Sequence, residues 1–135
     1  MTHNLTAIDP TILAVIKGSF GKDGLPMPFI KEIFLMECHV AGTTYVDLTD
    51  IEPKLVADAP LVFKREPGNP HDSLAIQIYA EHGDRIGYVP KAKNEVLARL
   101  MDAGKLIFGK LVSKGWEGYD GKWLKLQIKV YMRDL

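Results

Sequence analysis

The chain has 135 residues, of which 47% are hydrophobic and 25% are charged. These values are typical of one ordinary globular domain and exclude an extensively disordered chain. Seventeen Lys and Arg residues balance seventeen Asp and Glu residues, so the formal net charge is zero. This balance argues against a protein that coats nucleic acid by charge alone, as a histone-like protein does.

Several other protein classes are also excluded by the sequence. No apolar run approaches the roughly 18 residues needed to span a bilayer, and the first residues lack the basic and apolar parts of a secretory signal. We therefore expect a cytoplasmic protein that contacts no membrane. Because Cys38 is the one cysteine and the four His residues show no paired spacing, we expect no disulfide, no metal and no cofactor.

Residues 1–31 are predicted to be an N-terminal extension, distinct from a domain at 32–135. Asp9 and Pro10 form a typical helix start, and the apolar residues after them share one face of a short helix. Gly and Pro residues keep the remainder of the extension non-helical. We expect the extension to pack on a domain, and it offers a candidate surface for a protein partner.

The pattern changes to strands and turns at residue 32. The first strand is predicted to direct four alternating residues to one face, namely Phe34, Met36, Cys38 and Val40. At most a short helical turn is expected near 51–55. Further strands are predicted at 61–65, 74–79 and 86–89, separated by turns rich in Pro, Gly and Asn.

One helix and a long hairpin complete the chain. The helix is predicted at about 93–103, with Asn94 as its cap and Gly104 at its end. The hairpin arms are predicted at 106–112 and 123–132, and the second arm alternates strictly between apolar and polar residues. Together the elements predict a mainly β fold with flanking helices, a small OB-like or SH3-like barrel of about six strands.

The zero net charge conceals an uneven distribution along the chain. Residues 32–60 contain one Lys and six acidic residues, a net charge of −5, whereas residues 61–135 contain thirteen basic and nine acidic residues, a net charge of +4. A basic surface attracts phosphates. The alternative is that Lys residues on an exposed strand face only keep a sheet edge soluble.

The segment 65–76 carries the densest chemistry in the sequence. Two prolines and a glycine make its turn rigid and hold His71 and Asp72 in place. The His71 ring suits stacking on a base, and the Asp72 carboxylate suits a terminal sugar hydroxyl while repelling a terminal phosphate. Two alternatives remain: an Asx turn in which Asp72 caps its own backbone, and a hydrolase that uses both residues, for which no nucleophile motif is present.

Aromatic residues occur near both of these regions. Tyr45 follows a strand end, where a tyrosine is more often part of the core than of a binding site. Trp116, Tyr119 and Trp123 surround the last hairpin turn, where they would stack on bases or cover the barrel.

Four motifs resemble the HIRAN domain family in order and spacing across about residues 32–133. They are VAGTTY at 40–45, REPxNPHDxxAI at 65–76, IGYVPK at 86–91 and the helix from Asn94 to Gly104. The resemblance implies a compact OB-like barrel with helices at its side. Some family members belong to Swi/Snf-type DNA translocases and capture the 3′-hydroxyl end of single-stranded DNA at damaged or stalled forks, and others stand alone.

The resemblance also implies roles for individual residues. Tyr45 and His71 correspond to aromatic residues that contact the terminal nucleotides, Asp72 to the acceptor of the 3′-hydroxyl, and Lys91 to a lysine that meets phosphate. Asn69 corresponds to an Asn in the pocket. The full set of candidate nucleic-acid-binding residues is Thr43, Thr44, Tyr45, Lys64, Arg65, Asn69, His71, Asp72, Tyr88 and Lys91.

This sequence departs from the eukaryotic end-binding members at four positions. Thr43 and Thr44 replace an Arg and a Tyr, which removes a charge and a stacking face and predicts weaker binding. His71 replaces a Tyr and Tyr88 replaces a His. General attraction to DNA is expected from Lys64, Arg65 or a face carrying Lys125 and Lys129.

Two main functional hypotheses follow from the sequence. The first is a non-enzymatic module that binds single-stranded DNA, with a preference for its 3′-hydroxyl end, in DNA repair or replication-fork processing. The second is a protein-interaction adaptor on the same fold, with residues 1–31 or the acidic segment as its partner surface. A hydrolase that uses His71 and Asp72 is a third and weaker alternative.

Overall fold

A curled, six-stranded antiparallel sheet dominates the structure, a computed structural model that describes residues 31–118 and 121–134. The strands are β1 (Lys31–His39), β2 (Pro60–Arg65), β3 (Ile76–Ala80), β4 (Arg85–Tyr88), β5 (Leu106–Glu117) and β6 (Trp123–Asp134), and they lie in the order β1-β6-β5-β2-β3-β4. One helix, α1 (Asn94–Asp102), and short 3-10 turns at Thr43–Tyr45, Glu52–Lys54 and Lys91–Lys93 accompany them. The predicted mainly β class, with about six strands and one main helix, is confirmed.

The inner face of the sheet forms the hydrophobic core. In β6 the predicted alternation is confirmed, because Leu124, Leu126, Ile128 and Val130 are at most 1% exposed. Leu97 and Ala98 of α1 are fully buried and join the same core. Burial of each such large aliphatic side chain contributes about 1.5–3 kcal/mol, so the core holds the sheet in its curled form.

The face assignment predicted for β1 is wrong in its first half. Cys38 and Val40 are buried as predicted, but Phe34 is 53% exposed and contacts Tyr131 on the outer face. Glu37, which bonds Gln127, is also exposed. Because Phe34 and Glu37 both face outward, the alternation shifts by one residue between them, as it does where a strand contains an irregularity.

The N-cap of helix α1 lies one residue before the position that the sequence predicts. Lys93 occupies the N-cap position, and Asn94 is the first helical residue, 2% exposed, with its side chain bonded elsewhere. Gly104 ends the helix as predicted, with a φ of 91° that favours glycine. None of the helices among the described residues is long and apolar enough to cross a membrane. The short helix predicted near Asp9 and the hairpin residue Tyr119 lie outside the described residues.

The two edges of the curled sheet are joined by a single backbone bridge. Beyond the end of β1, the Ala41 N–H donates to the Tyr88 carbonyl and the Tyr88 N–H donates to the Ala41 carbonyl, both at 2.8 Å. A Cβ added at the neighbouring Gly87 would lie 2.5 Å from Val40 Cγ1 and closer still to the Ala41 carbonyl oxygen. The bridge therefore requires glycine at position 87.

An arginine side chain anchors the loop between β2 and β3. The Arg65 guanidinium donates to the backbone carbonyls of Ser73 at 3.0 Å and Ala75 at 2.8 Å. It also makes a two-pronged contact with the Asp102 carboxylate at the end of α1, at 2.9 and 3.1 Å. This pairing holds the pKa of Asp102 below its usual value. Arg65 thus ties the loop to the helix.

Gly87→Ala is expected to lower the free energy of unfolding by about 3 kcal/mol, the upper end of the usual cost of overpacking, because a backbone carbonyl must move. Urea denaturation of the purified protein measures the change. Gly115→Ala is the matched control, since a Cβ there meets nothing within 4 Å. Equal stability of the two variants would show that the bridge tolerates a side chain.

Arg65→Gln is expected to lower the free energy of unfolding by about 2 kcal/mol at pH 7, because hydrogen bonds to charged groups are worth about 1.5–3 kcal/mol. The pKa of Asp102 is depressed in the folded state, so its contribution exists above the ordinary pKa of 3.8 and is lost as the pH falls below it. The deficit of the variant should therefore shrink between pH 5 and pH 3, as measured by urea denaturation at each pH.

Arg99→Gln provides the control for this measurement. Arg99 pairs with Glu95 on the exposed surface of the same helix, with both side chains about two-thirds exposed. Such pairs contribute about 0.3–0.5 kcal/mol, so this variant should remain close to the original protein. If Arg65→Gln lowers the free energy of unfolding no more than Arg99→Gln does, Arg65 does not anchor the loop.

Candidate nucleic-acid interface

The loop between β2 and β3 is shaped by an asparagine side chain. The Asn69 Oδ1 accepts the backbone N–H groups of His71 at 2.8 Å and Asp72 at 3.1 Å. Its amide nitrogen donates to Glu66 Oε1 at 3.0 Å. An Asn side chain that accepts hydrogen bonds from backbone N–H groups a few residues later replaces a regular backbone turn. Asn69 therefore sets the positions of His71 and Asp72.

The Asp72 carboxylate is held at both oxygens. Oδ1 accepts the Leu74 N–H at 2.9 Å, which is the Asx turn that the sequence left open as an alternative, and Oδ2 accepts the Asn94 amide at 2.8 Å. These two bonds, together with the charges of Lys91 and Arg65, hold the pKa of Asp72 below its usual value. The side chain is half-buried and charged at neutral pH. Each oxygen retains further lone-pair capacity for a donor from outside.

Two tyrosines flank the backbone bridge. A Cβ added at Gly42 would lie 3.8 Å from the Tyr88 ring and 4.0 Å from the Tyr45 ring, so both rings adjoin this one glycine. Tyr45 is 91% exposed, which is contrary to the burial that base rates predict for a tyrosine at a strand end. The ring of Tyr45 is thus presented to solvent beside the half-buried ring of Tyr88.

Glu66 connects the tyrosines to the loop. Its Oε1 accepts the Tyr88 hydroxyl at 2.7 Å in addition to the Asn69 amide, and Arg85 donates to the same hydroxyl at 3.3 Å. These hydrogen bonds, that of Asn69 first, hold the pKa of Glu66 below its usual value. A continuous network therefore runs from Arg85 and Tyr88 through Glu66 and Asn69 to the backbone of His71 and Asp72.

The remaining candidate residues occupy several different settings. Thr43 is buried, whereas Thr44 is exposed. Lys91 and His71 are exposed beside Asp72, and Lys64 is exposed on the outer face of β2. The side chain of Arg65 is only 14% exposed, and its guanidinium is bonded within the protein, as described above.

Three residues that build or support this network were absent from the candidate set, namely Glu66, Arg85 and Asn94. Glu66 lies within the REPxNPHD motif, but an acidic residue gives no signal of nucleic-acid binding when basic residues are sought. Asn94 was predicted as a helix cap, and its amide instead supports Asp72 across 22 positions of sequence. The sequence did offer one signal for Asn94, because the fourth of the HIRAN-like motifs begins at this residue.

Comparisons with known proteins agree with this fold. The HIRAN domain family model matches residues 33–133. A solved protein from Lactobacillus plantarum superposes with a TM-score of 0.69 at 22% identity, covering 79% of this chain and 100% of its own. The HIRAN domain of human HLTF superposes with a TM-score of 0.57 at 20% identity, covering 76% of this chain and 78% of its own.

At these identities the structural likeness establishes a shared fold. A comparison with functionally curated proteins gives no match. The family model, in contrast, matches most of the chain, including all four sequence motifs and every residue of the network. The chain therefore belongs to the HIRAN domain family.

Proposed function

We propose that this chain is a DNA-binding module that captures the 3′-hydroxyl end of single-stranded DNA. The observation that carries this proposal is the Asp72 carboxylate, which is held charged and oriented by the Leu74 N–H and the Asn94 amide. A carboxylate accepts a hydrogen bond from a terminal hydroxyl and repels a terminal phosphate. Membership of the HIRAN family supports DNA as the ligand.

The groups around Asp72 suit the other parts of a DNA end. Lys91 lies close enough to lower the pKa of Asp72 by its charge, and it is exposed and available to the next phosphate. Tyr45 presents an exposed ring for stacking on a base, and His71 presents a second exposed ring. The proposed end site therefore combines one acceptor, one cation and two flat side chains.

Thr43 and Thr44 stand in place of an Arg and a Tyr, which is consistent with weaker binding of DNA. Thr43 is buried and adds nothing to the surface, and Thr44 offers a hydroxyl in place of a ring. We expect affinity to depend on Tyr45 more strongly as a result. The biological setting proposed with this activity is DNA repair or replication-fork processing.

The geometry favours a binding role over hydrolysis. The Asp72 oxygens accept hydrogen bonds from the Leu74 N–H and the Asn94 amide, and within the described residues no hydrogen bond joins this carboxylate to the His71 imidazole. The adaptor alternative places its partner surface on residues 1–31 or on the acidic segment. It remains a separate hypothesis that requires no DNA binding.

Asp72→Asn is expected to remove the preference for a 3′-hydroxyl over a 3′-phosphate. A hydrogen bond to a charged group is worth about 1.5–3 kcal/mol, so the original protein should prefer the hydroxyl by roughly tenfold or more. The variant should bind both ends with similar affinity, because the neutral amide no longer repels phosphate. Fluorescence anisotropy with matched labelled oligonucleotides measures both affinities.

Asp84→Asn is the control for the same loss of charge. Asp84 lies in the turn between β3 and β4, where it pairs with His82. Its removal should leave the end preference intact. If the original protein binds both ends equally, or if Asp72→Asn keeps the preference, the proposed end capture is wrong.

Tyr45→Ala is expected to weaken binding of single-stranded DNA by roughly 5- to 150-fold, since stacking of one base on an aromatic ring is worth about 1–3 kcal/mol. Stability should stay within about 0.5 kcal/mol, as is usual for exposed positions. Tyr45→Phe keeps the ring and should bind almost as well as the original protein. Affinities from anisotropy and melting curves of all three proteins test this, and unchanged binding by Tyr45→Ala would remove Tyr45 from the site.

A further inference from the structure

The outer face of the sheet carries a continuous row of cross-strand neighbours, made of three aromatic residues, one valine and a terminal arginine. Cross-strand partners follow one another directly from β6 to β4, through Tyr131, Phe108, Val62, Tyr79 and Arg85. We call these five residues the outer row. Neighbouring strands lie about 4.8 Å apart, so the outer row extends about 19 Å across the sheet.

Aromatic contacts extend the outer row to the sheet edge. Phe108 stacks on Tyr131 with ring centroids 5.6 Å apart, and Phe34 of β1 meets Tyr131 edge-on at 5.8 Å. Phe34 is 53% exposed and Val62 is 44% exposed. The face therefore has accessible apolar surface beside its charged residues, and most of the strands that cross it contribute a ring.

Cations lie over these rings. Lys64 sits 4.7 Å from the centroid of Tyr79. Five such pairs occur in the described residues, formed by Lys64, Arg85, Lys110, Lys129 and Arg133 with rings of this face. The five pairs therefore place positive charge and aromatic rings side by side on one face of the sheet.

Four of these cations flank the outer row, on both of its sides, and the fifth, Arg85, ends the row at β4. Lys110 and Lys129 face each other two residues along β5 and β6, while Lys64 lies two residues along β2 in the opposite direction. Glu32 offsets part of this charge by pairing with Lys110 at 2.9 Å and Arg133 at 3.2 Å. Three aromatic rings with cations along both borders suit a single strand whose bases contact the rings and whose phosphate backbone follows one border.

We propose that the outer row and its flanking cations form a second DNA-binding surface, which takes the interior of a single strand. Single-stranded DNA fits because its phosphates complement the cations and each base has a face for the rings. Near the β4 edge, Arg85 of the outer row contacts Tyr88, so this surface adjoins the proposed end site.

This surface requires no DNA end. It rests on the proposed function only in taking DNA as the nucleic acid, and a closed circle of single-stranded DNA isolates it from end capture. A labelled circular oligonucleotide of about 40 nucleotides, titrated by anisotropy across a range of salt concentrations, is the probe.

The double variant Lys64→Gln, Lys129→Gln should bind the circle about tenfold more weakly than the original protein. The slope of log affinity against log salt should also decrease in magnitude by about 1.4, since each contact with a single-strand phosphate contributes about 0.7. Lys54→Gln, Lys105→Gln is the matched control, because both residues are exposed cations outside the outer row and its flanking cations. This control should bind the circle as the original protein does.

Two outcomes would overturn the second surface. One is the absence of salt-dependent binding of the circle by the original protein, and the other is equal binding by the two double variants. Either result leaves end capture to its own test with linear strands. Conversely, loss of the hydroxyl preference on linear strands would not affect binding of the circle.

Discussion

The backbone bridge between Ala41 and Tyr88 is the constraint on which the site depends. It joins the segment after β1 to β4, the opposite edge of the sheet, and it is permitted only because Gly87 has no side chain. The same bridge places the Tyr45 turn beside Tyr88. The same contact thus closes the curled sheet and brings the two aromatic rings together.

The carboxylates within this site are controlled by donors rather than by burial. Glu66 accepts a tyrosine hydroxyl and an asparagine amide, and Asp72 accepts a backbone N–H and a second asparagine amide. These bonds favour the charged form of each acid. A neutral chain can therefore present a fixed negative group among cations, which suits recognition of an end better than coating of a strand.

The sequence predicts those strands of which one face is buried and the other is exposed to solvent. β6 is an example, because its strict alternation follows directly from packing on the core. The first half of β1 was assigned to the wrong face of the sheet. A one-residue shift in the inward–outward alternation leaves the composition of the strand unchanged, so the sequence gives no sign of it. The role of Arg65 was also beyond sequence reasoning, since a basic residue looks the same whether its donors meet phosphate or the chain's own carbonyls. Asn94 was singled out correctly but for the wrong bond, because its acceptor lies in a distant loop.

Helix α1 holds the loop between β2 and β3 at two points. Asn94, its first residue, binds Asp72, and Asp102, its last residue, binds Arg65, whose guanidinium grips the loop backbone. The loop is consequently ordered when the chain folds, and a ligand meeting it need not supply that entropy. Such a surface has its shape before any ligand arrives, so the proposed discrimination between two DNA ends requires no rearrangement of this loop.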